Sequence, residues 1–319
     1  MPTDYEIAVA KAREEISLLT QTTQKELIKF YDNSFYSVFM KVQKTHNPSL
    51  VNLQNEIADR KQELQEELKN KITDATKKAA AIGVEPDQAL MKSMFIKAGI
   101  DERKNITHAL GMVQENVVKD ILKGKLYLDG KTLDDRIWYV TNGMGKDIQY
   151  IISNGLIQQK SAIELAKSLQ VYVKPAAERP TTWGKSYPKL KNKAVDYNAM
   201  RLARTSITHA YQTATIQAAQ TNPFCEYIEW RSSMAHSRTC ELCQSRHGVL
   251  FPKDQVPLDH PNGLCTMLPV VKDPEEAGKE LREWLDGEPN PKLDDWYQEH
   301  GWQYGGVTAA KVTPISKNN

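Results

Sequence analysis

Cys240 and Cys243 stand two residues apart, His260-Pro261 follows after sixteen intervening residues, and Cys265 closes the set, so four potential metal ligands fall within twenty-six residues. Two thiols at this spacing present both sulfurs from one tight turn, and a second His/Cys arm can complete a tetrahedron around Zn2+. Such an ion would contribute folding free energy to a loop-rich stretch too short to bury a core of its own. The same spacing also suits buried thiols without metal, a redox or disulfide arrangement that includes Cys225, or a catalytic centre. His247 competes with His260 for the nitrogen position. The proline after His260 stiffens the chain beside Cys265 and favours His260.

A second group of residues suggests a different chemistry. Between Lys174 and Arg204 the chain carries Lys174, Arg179, Lys185, Lys189, Lys191, Lys193, Arg201 and Arg204 against Glu178 and Asp196. Trp183, Tyr187 and Tyr197 are interleaved with them. Basic residues with aromatics can follow a phosphate backbone and stack on bases, which makes Lys185, Lys189, Lys191, Lys193, Arg201 and Arg204 candidate nucleic-acid contacts. Prolines 175, 180 and 188 favour the plainer reading of a solvated linker broken into turns. The acidic stretch from Asp273 to Asp295 offsets this basic one.

The elements that must position these groups follow from periodicity. Ile16, Leu19, Thr23, Leu27, Phe30 and Ser34 mark one helical stripe, and Leu50, Leu53, Ile57, Leu64 and Leu68 another, with Asn47-Pro48-Ser49 between them. The pair predicts an extended antiparallel helical hairpin whose second arm ends at Gly83, where a left-handed cap is easy. Shorter helices are expected with Pro86 near one start and Gly99 at its end, from Asp101 to about Gly124, from Thr132 to Asp135 onward, and through SAIELAKSLQVY after a break at Asn154-Gly155. His46 and His108 are isolated in this half, which shows no phosphate loop and no paired acid and base. AVDYNAMRLARTSITHAYQTATIQAAQ reads as one long helix stopped by Asn222-Pro223. CEYIEWRS, HGVLF and TMLPVV read as short strands, and Asp273-Pro274 starts a helix to Gly287.

The expected fold class is therefore α+β and mostly helical: an elongated N-terminal helical region, then a small helix-plus-sheet module carrying a Cys/His knuckle. The expected divisions are a helical partner-docking region over 1–172, a basic proline-containing linker over 173–193, the knuckle module over 194–272, and C-terminal helices with a flexible tail over 273–319, frayed beyond Val307. No run of eighteen apolar residues predicts a membrane span. The opening MPTDYEIAVAKAREE lacks the basic and apolar blocks of a secretion signal, so a reducing cytosol is the expected place of synthesis. A formal net charge of +2 implies no dominant partner.

ARTSITHAYQ, then EYIEWRSSMAHSRTCELCQSRHGVLF, then DHPNGLCTMLPVV resemble the C-terminal module of Mu F-like phage head morphogenesis proteins, also called minor capsid or minor head proteins. Arg204-Thr205, Trp230, Arg238-Thr239-Cys240, Cys243, Gly248, His260-Pro261 and Cys265 fall on that family's motif in order, across roughly 70 residues. Two positions depart from it. His236 replaces the usual Asp before Arg-Thr-Cys, and Gly263-Leu264 precede a single Cys265 where the family often reads His-Pro-x-Cys-Arg-Cys.

The resemblance implies a virion component that is not an enzyme. It would be made in the host cytoplasm, associate with the portal protein during procapsid assembly, also meet major capsid or scaffolding protein, and be packaged inside the head near the portal. There it would accompany or touch double-stranded DNA. It would carry structural Zn2+ on Cys240, Cys243, His260 and Cys265. The competing expectations are a metal-dependent nuclease with His236, His247 and His260 as candidates for water activation and metal binding, for which only Asp254 and Asp259 lie nearby as carboxylates, and a zinc-stabilised DNA-binding protein using Arg231, Arg238 and Arg246.

Overall fold

The computed structural model describes residues 4–45, 49–99, 103–194, 196–232 and 239–304. Ten α-helices and three strands are described: α1 (Asp4–Lys44), α2 (Leu50–Lys97), α3 (Arg103–Leu122), α4 (Leu133–Ile157), α5 (Ala162–Val173), α6 (Thr181–Ser186), α7 (Tyr197–Thr221), β1 (Cys225–Arg231), α8 (Glu241–Arg246), β2 (Leu250–Pro252), β3 (Thr266–Val271), α9 (Pro274–Leu285) and α10 (Pro291–His300). The protein is thus α+β and mostly helical. No helix among the described residues is long and apolar enough to cross a membrane. His46 and the stretch beyond Val307 lie outside the described residues.

The chain divides into two compact units, each gathered from separate stretches, so the units cut across the sequence divisions at 172 and 193. Residues 1–19, 76–120 and 207–319 form the first, and 20–75 with 121–206 form the second.

The second unit is all helical. Leu27, Tyr31, Phe35 and Val38 of α1 recur at helical spacing and meet Leu53, Leu64, Leu68 and Ile72 of α2 in one core. Ion pairs Lys41 to Glu56 (2.9 Å) and Glu26 to Lys71 (3.1 Å) run in opposite chain order, as an antiparallel pair requires. On α4, Ile137, Val140, Met144, Ile148 and Ile151 complete the apolar stripe. Thr132 and Asp135 form a reciprocal capping box at its start, and Ser161 with Glu164 does the same for α5. The break expected at Asn154-Gly155 comes just after them, between Ile157 and Ala162. Both residues lie inside α4, and a Cβ on Gly155 would stand 2.3 Å from Leu165 Cδ2 of α5, so this glycine permits helix contact.

The stretch 173–193 is folded into this unit rather than forming a solvated linker. Trp183, Tyr187 and Leu190, spaced by four and three residues, are buried in its core. Trp183 Nε1 donates to Ser168 O (3.1 Å) and the Tyr187 hydroxyl to Ser168 Oγ (3.1 Å). Arg179 donates to the carbonyls of Tyr172 (2.6 Å), Lys174 (2.8 Å) and Leu190 (2.9 Å), and its guanidinium lies 4.8 Å from the Trp183 ring centre. The prolines shape turns around a buried aromatic cluster.

In the first unit, α2 does not stop at Gly83 but runs on through Pro86 to Lys97. Gly83 serves close packing: a Cβ there would fall 2.9 Å from Ala214 Cβ of α7, and Thr215 Oγ1 donates to the Gly83 carbonyl at 3.1 Å. Ile207, Ala210, Tyr211, Ala214 and Ala218 bury one side of α7. The sheet has order β2-β1-β3, antiparallel throughout, with Ile228 opposite Phe251 and Pro269, and Trp230 opposite Met267. Cys225, Ile228 and Trp230 turn inward and pack with Ala219 of α7. Asp273 caps α9 and Asn290 caps α10, and Trp296 Nε1 donates to Thr221 O at 2.7 Å.

Candidate metal centre

The fold delivers the site from three directions. Behind β1, α8 is one short turn whose N-cap is Cys240: its sulfur accepts from the Cys243 main-chain N–H at 3.4 Å. Residues 259–265 form a tight loop entering β3, with Asn262 at φ 68° and Gly263 N–H donating to His260 O at 3.0 Å. Helix α7 covers the loop with His209 and Gln212.

Within this frame the donor atoms of Cys240, Cys243 and His260 lie within 4.8 Å of one another, and so do those of Cys243, Asp259 and Cys265. Cys243 belongs to both triplets and joins them. These five residues form a geometry able to hold a metal ion. Of the two histidines considered, His260 reaches the thiols, with Nε2 3.4 Å from Cys240 Sγ. His247 instead faces the end of β1, where its Nδ1 accepts from Ser232 N at 3.3 Å.

Burial divides the thiols. Cys240 is exposed, and the Cys243 N–H directed at its sulfur, together with His260, holds its pKa below the ordinary thiol value. Burial raises that of Cys243, helped by the neighbouring thiols and Asp259. Cys265 is pushed up to about 11, first by burial and then by the Asp259 carboxylate. The acceptor at Pro261 O raises that of His260. Buried thiols beside a buried carboxylate disfavour one another's anionic forms, and a bound cation reverses that balance.

The remaining motif residues support the frame. Trp230 is fully buried, and its main chain is bridged by Gly248 N–H to Trp230 O (2.8 Å) and by Trp230 N–H to Val249 O (3.0 Å). Gly248 has φ 78°, which a side chain would resist. Thr205 Oγ1 donates back to Arg201 O at 2.7 Å on α7. Arg246 lies over Trp230 at 4.9 Å, and Arg231 pairs with Glu229 at 2.7 Å. Two of the three arginines named as phosphate contacts thus have intramolecular partners. The third, Arg238, lies outside the described residues, as does His236. Asp254 is exposed and stands outside the cluster.

Cys225 stays apart from the cluster, buried at the start of β1 with its pKa pushed up to about 12 by burial. It is not paired with another cysteine. The sequence offers Asp259 only as a nuclease carboxylate. Its place immediately before a candidate ligand histidine is the signal that points to it, but its contacts with α7 have no sequence signature.

The candidate nucleic-acid residues belong to the second unit. Lys185, Lys189, Lys191, Lys193 and Arg201 are exposed, and Arg204 is half-buried. Lys193 is held by Asp147 at 2.7 Å, and Lys189 lies 5.4 Å from the Tyr150 ring centre. Trp183 and Tyr187 are buried and cannot stack on bases, whereas Tyr197 is exposed.

No family model, curated protein or solved structure matches this chain.

Proposed function

We propose that this protein is a phage minor head protein, carried in the virion near the portal, whose C-terminal module is held by a structural Zn2+. The observation that carries this reading is the convergence of the ordered motif: Cys240, Cys243 and His260 form one triplet of donors, and Cys265 joins it through Cys243. Three thiolates and one imidazole suit Zn2+, and tetrahedral Zn–S bonds of about 2.3 Å place sulfurs about 3.8 Å apart, so Cys265, which meets the Cys240–Cys243–His260 triplet through Cys243, would draw in on binding.

A complete set of three sulfurs and one nitrogen leaves no open position for water, which favours a structural ion over a catalytic one. That distinguishes this reading from a nuclease, as does the exposed Asp254 standing away from the donors. Its helical units would dock the portal protein, and major capsid or scaffolding protein would be further neighbours during assembly. The exposed Lys185, Lys191 and Arg201 are available to packaged DNA.

Two measurements test the reading. Mass spectrometry of purified particles should find the protein in a few copies per head, and particles lacking it should lose portal association or DNA delivery. Elemental analysis of the purified protein should find one zinc per chain, lost in Cys240→Ser with a lower melting temperature. Particles assembled and infectious without the protein would overturn the assembly role, and metal-free protein would overturn the zinc.

A further inference from the structure

Asp259 is the residue around which the cluster is organised. Its side chain is wholly shielded from solvent. Oδ1 accepts the His260 main-chain N–H at 2.8 Å, and Oδ2 accepts the Cys265 main-chain N–H at 3.1 Å. One carboxylate therefore spans the loop and joins the backbone at both ligands of the second arm. Gln212 of α7, itself buried, donates Nε2 to Asp259 Oδ2 at 3.3 Å and to Cys265 O at 2.6 Å. His209 Nε2 lies 3.1 Å from the Asp259 carbonyl oxygen. Cys243 Sγ stands 3.9 Å from Oδ1.

The loop is shaped to this carboxylate. A Cβ at Gly263 would fall 2.1 Å from Asp259 Oδ2, so the chain has no side chain where the resembled motif often places a cysteine. An aspartate suits the task because it offers two acceptor oxygens and no donor, whereas an asparagine offers one oxygen and an amide that repels one of the facing N–H groups. Outer groups that orient ligands commonly change metal affinity by roughly ten- to a hundred-fold.

We propose that Asp259 is the positioning residue of the metal centre: it fixes the backbone at His260 and Cys265 so that both meet the Cys240–Cys243 turn, and Gln212 anchors it to α7. The inference rests on the metal reading above and adds to it a physical link between the ion and the longest helix of the motif. Metal occupancy and the seating of the loop on α7 are then one event.

The test uses full-length protein and competition with a chromophoric chelator for Zn2+, with Co2+ substitution as a second readout. Asp259→Asn and the volume-matched Gln212→Met should each keep one ion per chain but bind it roughly ten- to a hundred-fold more weakly. The Co2+ ligand-field bands should broaden and lose intensity while the thiolate charge-transfer band persists. Gln212→Met leaves the four ligands and Asp259 in place and serves if Asp259→Asn does not fold. Lower melting temperatures with unaltered affinity and an unaltered Co2+ spectrum would show a merely structural role and overturn the proposal. Absence of metal from the unaltered protein would overturn the underlying metal reading together with it.

Discussion

Gly83 of α2 faces Tyr211 of α7 so closely that a Cβ on Gly83 would stand 2.5 Å from the Tyr211 carbonyl oxygen. Gly83→Ala sets two effects against each other. Alanine gains about 1 kcal/mol of helix propensity, but backbone cannot yield as a flexible side chain can, and overpacking costs about 1–3 kcal/mol or more. We expect net destabilisation of about 1–2 kcal/mol, read as a lower urea midpoint. A neutral or stabilised variant would contradict the close approach of α2 and α7.

Asp87 of α2 is buried, accepts from Asn222 Nδ2 at 2.9 Å, and is pushed up to about 7, first by burial. Because the folded value is raised, its contribution is fully present below the ordinary carboxyl value near 4 and is lost as pH rises through about 7. The loss is at most on the order of 4 kcal/mol. Asp87→Asn should remove this component. The stability difference between variant and unaltered protein should shift in the variant's favour from pH 4 to pH 8, measured by urea unfolding, and a pH-independent difference would refute it.

Arg179 is the keystone of the 173–193 stretch through its three carbonyl acceptors. Arg179→Met keeps much of the volume but leaves those carbonyls without their donor. A cost of about 2–4 kcal/mol is expected from charge-assisted bonds of this kind. Limited proteolysis should cut between 174 and 193 in the variant and spare the unaltered protein.

If the basic face meets DNA, its contribution should be separable residue by residue. Combined alanine substitution of Lys185, Lys191 and Arg201 should weaken duplex binding and reduce the salt slope by up to about three, near 0.9 per phosphate contact. Lys193→Ala should change it little, because Asp147 already engages that ammonium. Equal slopes for the triple variant and the unaltered protein in gel-shift titrations would remove this surface from consideration.

What the sequence revealed was whatever depends on near neighbours. The helix start at Thr132–Asp135 rests on a cap acting over three residues, and the strand character of CEYIEWRS lies within one short run, so both are legible in the sequence. Gly83 and Gly155 look like breakers in the sequence because the reason for each glycine is a partner on another helix, Tyr211 in one case and Leu165 in the other. Trp183, Tyr187 and Leu190 carry a helical spacing, but the lysines and prolines around them dominate the composition and conceal it. Spacing admits both His247 and His260 as the nitrogen donor, and only the proline after His260 favours it in the sequence. That His260 reaches the thiols while His247 packs against Ser232 is visible only in three dimensions.

The hydroxyl of Tyr5 donates to Pro269 O at 3.1 Å, across 264 positions of the chain. During synthesis at about 5–20 residues per second, the opening turns of α1 therefore wait for tens of seconds before their partner strand exists. The first unit can close only after β3 has emerged, so its folding carries a high contact order although most of its residues are helical. Through that interval the apolar face around Tyr5 and Ala12 is open to other chains. Faster translation or a holding chaperone should raise the soluble yield, and a fragment that starts after α1 should lack the surface against which its last strand is seated.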